Sequence, residues 1–215
     1  MSQLKRLLLT SLVPLLLIVP PVLAESTDIS SLLAELKLAA SATATLSSHF
    51  VQEKHLSIFA EKLLSQGRFI YQRPDWLRWE LLTPVASGFV LQGEKGERWN
   101  GLSREKQRFS PETDPIMGMI AQQLLAWARV DIDWLQQRYR MELQTSEPVS
   151  LRLYPHDPAE AGFIDYLQIL FADDRRHVAE VLMVEKEGDS TLLRFTDVEI
   201  NIELSPDAFE TPVFR

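Results

Sequence analysis

From about Ser47 to residue 203, apolar and polar side chains repeatedly alternate with a period of two. Such a period puts neighbouring residues on opposite faces of a strand, so each run can bury only one face. In the first run Phe50, Gln52 and Lys54 share one face and Val51, Glu53 and His55 the other. Leu63 to Arg73 alternates through Phe69 and Tyr71, Pro74-Asp75 turns the chain, and Trp76 to Leu82 follows up to Thr83-Pro84. Phe89 to Leu91, Glu97 to Trp99 and Lys106 to Phe109 are shorter runs between glycine-bearing turns. Strands resume at Tyr139 to Gln144 and Ser150 to Tyr154. Phe163 to Phe171, Val178 to Lys186 and Thr191 to Glu203 complete the series, joined by polar turns of hairpin length.

Two segments have helical spacing instead. Asp28 or Ser30 can cap a helix whose apolar positions are Ile29, Leu32, Leu33, Leu36 and Ala40. Asp114-Pro115 supplies an N-cap acid and a first-turn proline. Ile116, Met117, Met119, Ile120, Leu124, Leu125 and Trp127 then follow at helical spacing, continued by a short helix from Asp131 to Gln136. Strands and helices do not alternate regularly, which argues against a parallel α/β sheet. The expectation is a mainly β fold with α, an antiparallel meander interrupted by two helical segments, forming one domain over residues 25–215.

Residues 1–24 read differently. Lys5 and Arg6 precede an apolar stretch from Leu7 to Val19, Pro20-Pro21 ends it, and Val22-Leu23-Ala24 puts small residues where a signal peptidase cuts. This pattern predicts a secretory signal peptide cleaved after Ala24; as a membrane anchor it is short and broken by proline. Cleavage removes two basic residues and no acid, taking the formal charge from −8 to −10. A chain so acidic lacks the basic footprint of a nucleic-acid binder and is repelled by anionic lipid head groups. The expected location is the periplasm, in a soluble form.

The residues offer little for catalysis. With no cysteine there are no disulfides, thiolate metal sites, cysteine nucleophiles or lipidated N-terminal cysteine. His49, His55, His156 and His177 show no metal-ligand spacing. The glycines of Gly93-Glu94-Lys95-Gly96-Glu97 are flanked by acids that would repel phosphate, so the segment reads as a turn. Paired acids such as Asp131/Asp133 and Asp173/Asp174 sit in polar contexts and read as solvated charges. Neither a metal nor a cofactor is expected.

The stretch GRFIYQRPDWLRWELLTP, residues 67–84, is rich in aromatic residues with Arg73, Arg78 and Glu80 interleaved. In a strand, Leu77, Trp79 and Leu81 share one face, and Trp76, Arg78 and Glu80 the other. By itself it reads as a core strand pair with a snorkelling arginine. The ordered series Phe50-Val51-Gln52, Gly67, Arg73-Pro74, Trp79, Pro84 and a glycine turn leading to Trp99 resembles the LolA-type periplasmic lipoprotein carriers, over about residues 28–130 and more loosely to residue 204.

That resemblance implies a half-open antiparallel β-barrel with a helical lid over an apolar cavity for acyl chains. It implies a monomeric, non-enzymatic carrier that takes an acylated lipoprotein or lipid from an inner-membrane ABC transporter to an outer-membrane LolB-like acceptor. The family's latch arginine corresponds to Arg73 and a nearby apolar position to Leu77. Phe50, Phe69, Tyr71, Trp79, Trp99, Met117, Met119, Ile120 and Leu124 are the further cavity candidates. Flexible Met117 and Met119 suit a surface that repacks around varied ligands, although the same helix could simply close a barrel core. Asn100-Gly101 after Trp99 departs from the family pattern, which keeps another envelope lipid or glycolipid open as cargo. Two other classes stand beside the carrier. One is an envelope hydrolase using acids such as Asp165 or Glu80; the other is a structural partner using a sheet edge.

Overall fold

Asp28 accepts a hydrogen bond from the Ser30 backbone N–H and starts helix α1 (Ile29–Ala40), whose Leu32, Leu33, Leu36 and Ala40 are buried. The cap and the apolar spacing are those read from the sequence. The computed structural model describes residues 28–214; the signal peptide assigned to residues 1–24 lies outside the described residues. Asp114 caps α2 (Pro115–Arg129) by accepting from the Met117 N–H, and Asp131 caps α3 (Ile132–Arg138) by accepting from the Trp134 N–H. A fourth helix, α4 (Pro158–Ala161), has no counterpart in the sequence reading; its four residues are too few to show a period.

The strands fall where the alternation places them. They are β1 (Thr45–His55), β2 (Leu63–Gln72), β3 (Trp76–Thr83), β4 (Ser87–Gln92), β5 (Lys95–Asn100) and β6 (Glu105–Phe109) before α2. After α3 come β7 (Tyr139–Ser146), β8 (Val149–Pro155), β9 (Ile164–Phe171), β10 (Val178–Glu185) and β11 (Ser190–Ile200). All eleven form one sheet in the order β6-β5-β4-β3-β2-β1-β11-β10-β9-β8-β7. The simple meander needs one correction. The helical segment does not lead β6 to a neighbouring β7; it carries the chain to the opposite edge, and the two halves join where β1 pairs with β11. The sheet is not closed, matching the half-open barrel expected.

Its curl follows from burial. Strands near both edges contribute to one apolar cluster, with Phe109 from β6 and Tyr139 from β7 packed in the same core as Leu36 of α1 and Leu125 of α2. A flat sheet could not bring its two edges to one core. Glycines permit the bend. A Cβ on Gly67 would lie 2.1 Å from Phe50 Cζ and 2.4 Å from the Glu80 carbonyl oxygen, so the Phe50 ring occupies the space a side chain would take. Trp79 stacks on Phe50 with ring centroids 3.9 Å apart. Gly96 does the same beneath Phe109, where a Cβ would lie 2.2 Å from the ring.

Replacing Gly67 with valine is expected to lower unfolding free energy by on the order of 3 kcal/mol, because the Glu80 backbone cannot move away. Urea denaturation checks this; a variant as stable as the parent would show that the Phe50–Gly67 contact does not hold the bend.

Candidate functional site

The concave face of the sheet and the underside of the helices form one apolar interior. Phe50, Tyr71, Leu77 and Leu125 are fully buried there, with Phe69, Met117 and Leu124 nearly so and Trp79 packed at the margin. Eight of the expected residues therefore converge, counting Phe50, Phe69, Tyr71, Leu77, Trp79, Met117 and Leu124 in the interior and Arg73 at its rim. Three do not join them. Met119 and Ile120 lie on the outer side of α2, 52% and 39% exposed. Trp99 is buried on the convex face, opposite Gly88 in the register and beneath the Arg78 guanidinium at 5.2 Å.

The expected hollow is also corrected. Among the described residues, side chains of α1, α2 and α3 pack into the concavity, leaving a narrow apolar seam between them and the sheet. Leu46, Ser48, Phe69, Trp127, Ala128, Val178, Phe195 and Val198 line it, where the last turn of α2 meets β1, β2, β10 and β11. The helices reach into the sheet because their buried faces carry leucines and alanines that interdigitate with its aromatic side chains.

Polar contacts hold the helices at their edges. Arg73 Nη2 donates to the Ser41 carbonyl, the C-cap of α1, at 2.8 Å. A cation there also meets the negative end of the helix dipole. In the same turn the Pro74 carbonyl accepts from Arg129 Nη1 of α2 at 3.5 Å. The turn after β2 thus touches the C-terminal ends of both covering helices. Asn201 secures the α1–β1 connection, accepting from Ala44 N–H at 2.7 Å and donating to the Ala42 carbonyl at 3.0 Å. Lys37 of α1 pairs with Asp133 of α3, and Arg175 of the β9–β10 turn pairs with Glu35 of α1. These pairs are largely exposed, and each contributes little.

A second cluster occupies the convex face. Glu80 Oε2 accepts from Arg78 Nε and Arg68 Nη2, both at 2.9 Å, and Arg78 Nη1 donates to the Glu210 carbonyl at 2.6 Å. Arg78 and Glu80 are 4% and 7% exposed. Alternation suggests a snorkelling arginine; what covers it instead is the C-terminal segment, whose Ala208 and Phe209 pack on Ile70. No local pattern signals a cover supplied from 130 residues away.

This geometry bears on the hydrolase reading. Burial raises the pKa of Glu80, but the hydrogen bonds and charges of Arg78 and Arg68 outweigh it and hold the carboxyl below its ordinary value. Glu80 is thus an ionised partner of two arginines, whereas a general acid needs a raised pKa. Asp165 is ion-paired with Lys186 at 2.6 Å.

A curved antiparallel sheet rolled around an apolar interior, with helices laid across it and hydrogen-bonded to it at their ends, is the fold expected from the sequence. The chain belongs to the LolA family: the model of outer membrane lipoprotein carrier protein LolA matches residues 41–212, and this is a divergent member. Sequence comparison with curated proteins finds no match. Among solved structures it resembles MucB of the Pseudomonas aeruginosa MucA/MucB complex, at 16% identity and a TM-score of 0.52, covering 86% of this chain and 61% of that one. A crystal structure of MucB gives 17% identity and a TM-score of 0.54, with 87% and 64% covered. This chain thus spans under two thirds of the MucB chains it matches. An uncharacterised conserved protein from Thermus thermophilus gives 10% identity and a TM-score of 0.53, with 86% and 94% covered. At these identities the likeness is one of fold. Among the described residues no helix is long and apolar enough to cross a membrane.

The Glu80 cluster makes a pH prediction. Its carboxyl has a folded pKa below the unfolded value of about 4.5, so its contribution is present above that pH and is lost as pH falls through the folded value. Glu80→Gln is expected to be less stable than the parent at neutral pH, with the gap narrowing below about pH 4.5. Denaturation midpoints measured from pH 3 to 7 check this; a gap independent of pH would contradict it.

Proposed function

We propose that this protein is a periplasmic carrier that shields the acyl chains of lipoproteins on their way from the inner to the outer membrane. The observation that carries the reading is an apolar interior covered by helices whose edges are held by isolated polar contacts, foremost Arg73 to the Ser41 carbonyl. Each methylene moved out of water gains roughly 0.8 kcal/mol, so a multi-chain anchor would cost tens of kcal/mol to expose. A carrier must recover most of that and still release its load. The filled interior of the empty form serves release: leucines and alanines of the helices take the place of hydrocarbon, and lipid must displace them to enter. Affinity is then a difference between two apolar packings rather than the full gain of burial.

Three further features support the reading. Family membership, shown over residues 41–212, is to lipoprotein carriers. The signal peptide read at residues 1–24 fits export to the periplasm. Met117, at the buried face of α2, adapts its shape to different ligands. The donor in this account is an inner-membrane ABC transporter and the acceptor an outer-membrane LolB-like receptor. The carrier acts as a monomer and without catalysis.

Protein isolated gently from the periplasm is expected to carry extractable acylated material, detected by lipid mass spectrometry. Arg73→Leu removes one exposed charge-assisted bond, worth about 1–2 kcal/mol, and is expected to retain the fold while shifting both uptake and release of a fluorescent acyl probe. Unchanged uptake and release would remove Arg73 from the latch, and lipid-free protein from a loaded strain would contradict the carrier reading.

A further inference from the structure

Two residues that line the apolar seam carry buried polar atoms with no hydrogen-bond partner in the protein. Ser48 is 2% exposed, and its Oγ has no hydrogen-bond partner. Trp127 Nε1 on α2 is likewise buried and unpartnered. Both residues line the same gap, otherwise walled by Leu46, Phe69, Phe195 and Val198. A buried unsatisfied donor costs about 1–3 kcal/mol, and of the several such atoms among the described residues these two belong to residues that line one gap.

The backbone at this place is irregular as well. β1 pairs Ser47 with Glu199 and His49 with Thr196, so the single residue Ser48 faces two residues of β11. One of these, Asp197, has a φ of 51°, a left-handed conformation that a residue with a Cβ adopts only at some cost. The other, Val198, lines the seam. A bulge of this kind re-aims side chains and is frequent beside functional sites.

We propose that Ser48 Oγ and Trp127 Nε1 form a carbonyl clamp at the margin of the lid, which holds the ester or amide carbonyl of an acyl chain whose hydrocarbon lies inside. The proposal rests on the carrier reading and adds the chemistry by which cargo is recognised. Both groups can donate, and a carbonyl oxygen has two lone pairs to receive them. The walls on every other side are apolar, which suits the point where a hydrocarbon chain joins its polar linker. An ether oxygen is a poorer acceptor, and an alkane supplies none. The clamp therefore selects acylated cargo from alkylated cargo of equal length and apolar area.

The test uses the whole protein and displacement of a fluorescent acyl probe by two competitors, lysophosphatidylcholine bearing a palmitoyl ester and its hexadecyl ether counterpart. The parent is expected to prefer the ester at least about fivefold, the effect of one or two net hydrogen bonds. Ser48→Ala and Trp127→Phe are each expected to bring that ratio toward one. Ser48→Ala is expected to keep its stability, since it removes only a polar atom that the empty protein leaves unpaired, and Trp127→Phe to lose some from the smaller ring, so the ester-to-ether ratio of Ser48→Ala is the deciding readout. Equal displacement by ester and ether in the parent would overturn the clamp, assign the two donors to ordinary buried water, and leave the carrier reading standing. Displacement by neither competitor, in a protein that also binds no acyl probe, would overturn both.

Discussion

The contact between the Phe50 ring and the bare backbone of Gly67 is the constraint from which the rest of the structure follows. With no side chain at Gly67, an aromatic ring can lie flat on the sheet, and Trp79 can stack on that ring in turn. The sheet bends there and again where Phe109 covers Gly96. Bending turns one face of eleven strands into a concave apolar surface larger than its own side chains can fill, and helices α1 to α3 complete it. On the proposed carrier reading, lid and ligand compete for that surface. In the proposed carrier, a cover held by apolar packing and a few polar bonds at its ends is exchanged for hydrocarbon at small net free energy.

The distribution of charge supports the same division. Polar contacts at the helix ends, such as Arg73 to Ser41, and between helices, such as Lys37 to Asp133, are exposed and contribute modestly. The strongest polar cluster, Arg68–Glu80–Arg78, lies on the opposite face, where it fastens the C-terminal segment across the outside of the sheet. In the proposed carrier, the convex face stays closed and the concave face is the one uncovered. Desolvating Arg78 and Glu80 is compensated because the two carry opposite charges and bond to each other.

Much of this is legible in the sequence because local rules govern it. Asp28 and Asp114 cap helices with helical spacing behind them, and period two locates all eleven strands within a few residues. Phe50, Phe69, Tyr71 and Trp79 converge because alternation fixes their face within each strand. Long-range choices are not legible. Nothing local states that β1 pairs with β11, or that the chain crosses to the far edge between β6 and β7. Trp99 falls on the convex face because parity does not carry across turns of variable length. Met119 and Ile120 sit in a helix that is apolar on more than one side, so spacing does not separate the inner face from the outer. Ser48 gives no signal, since its setting is created by a bulge in another strand.

On the proposed function, acyl chains enter where helix side chains now pack, so the helices must open while the sheet stays intact. Amide hydrogen exchange followed by mass spectrometry, on the protein alone and with a bound acyl probe, tests it most directly. The account predicts that amides of α1 and α2 exchange through an opening well below the global unfolding free energy, that those of β1 and β2 do not, and that the probe changes exchange in the helices alone. Helix and strand amides exchanging together through global unfolding, with no response to the probe, would contradict it.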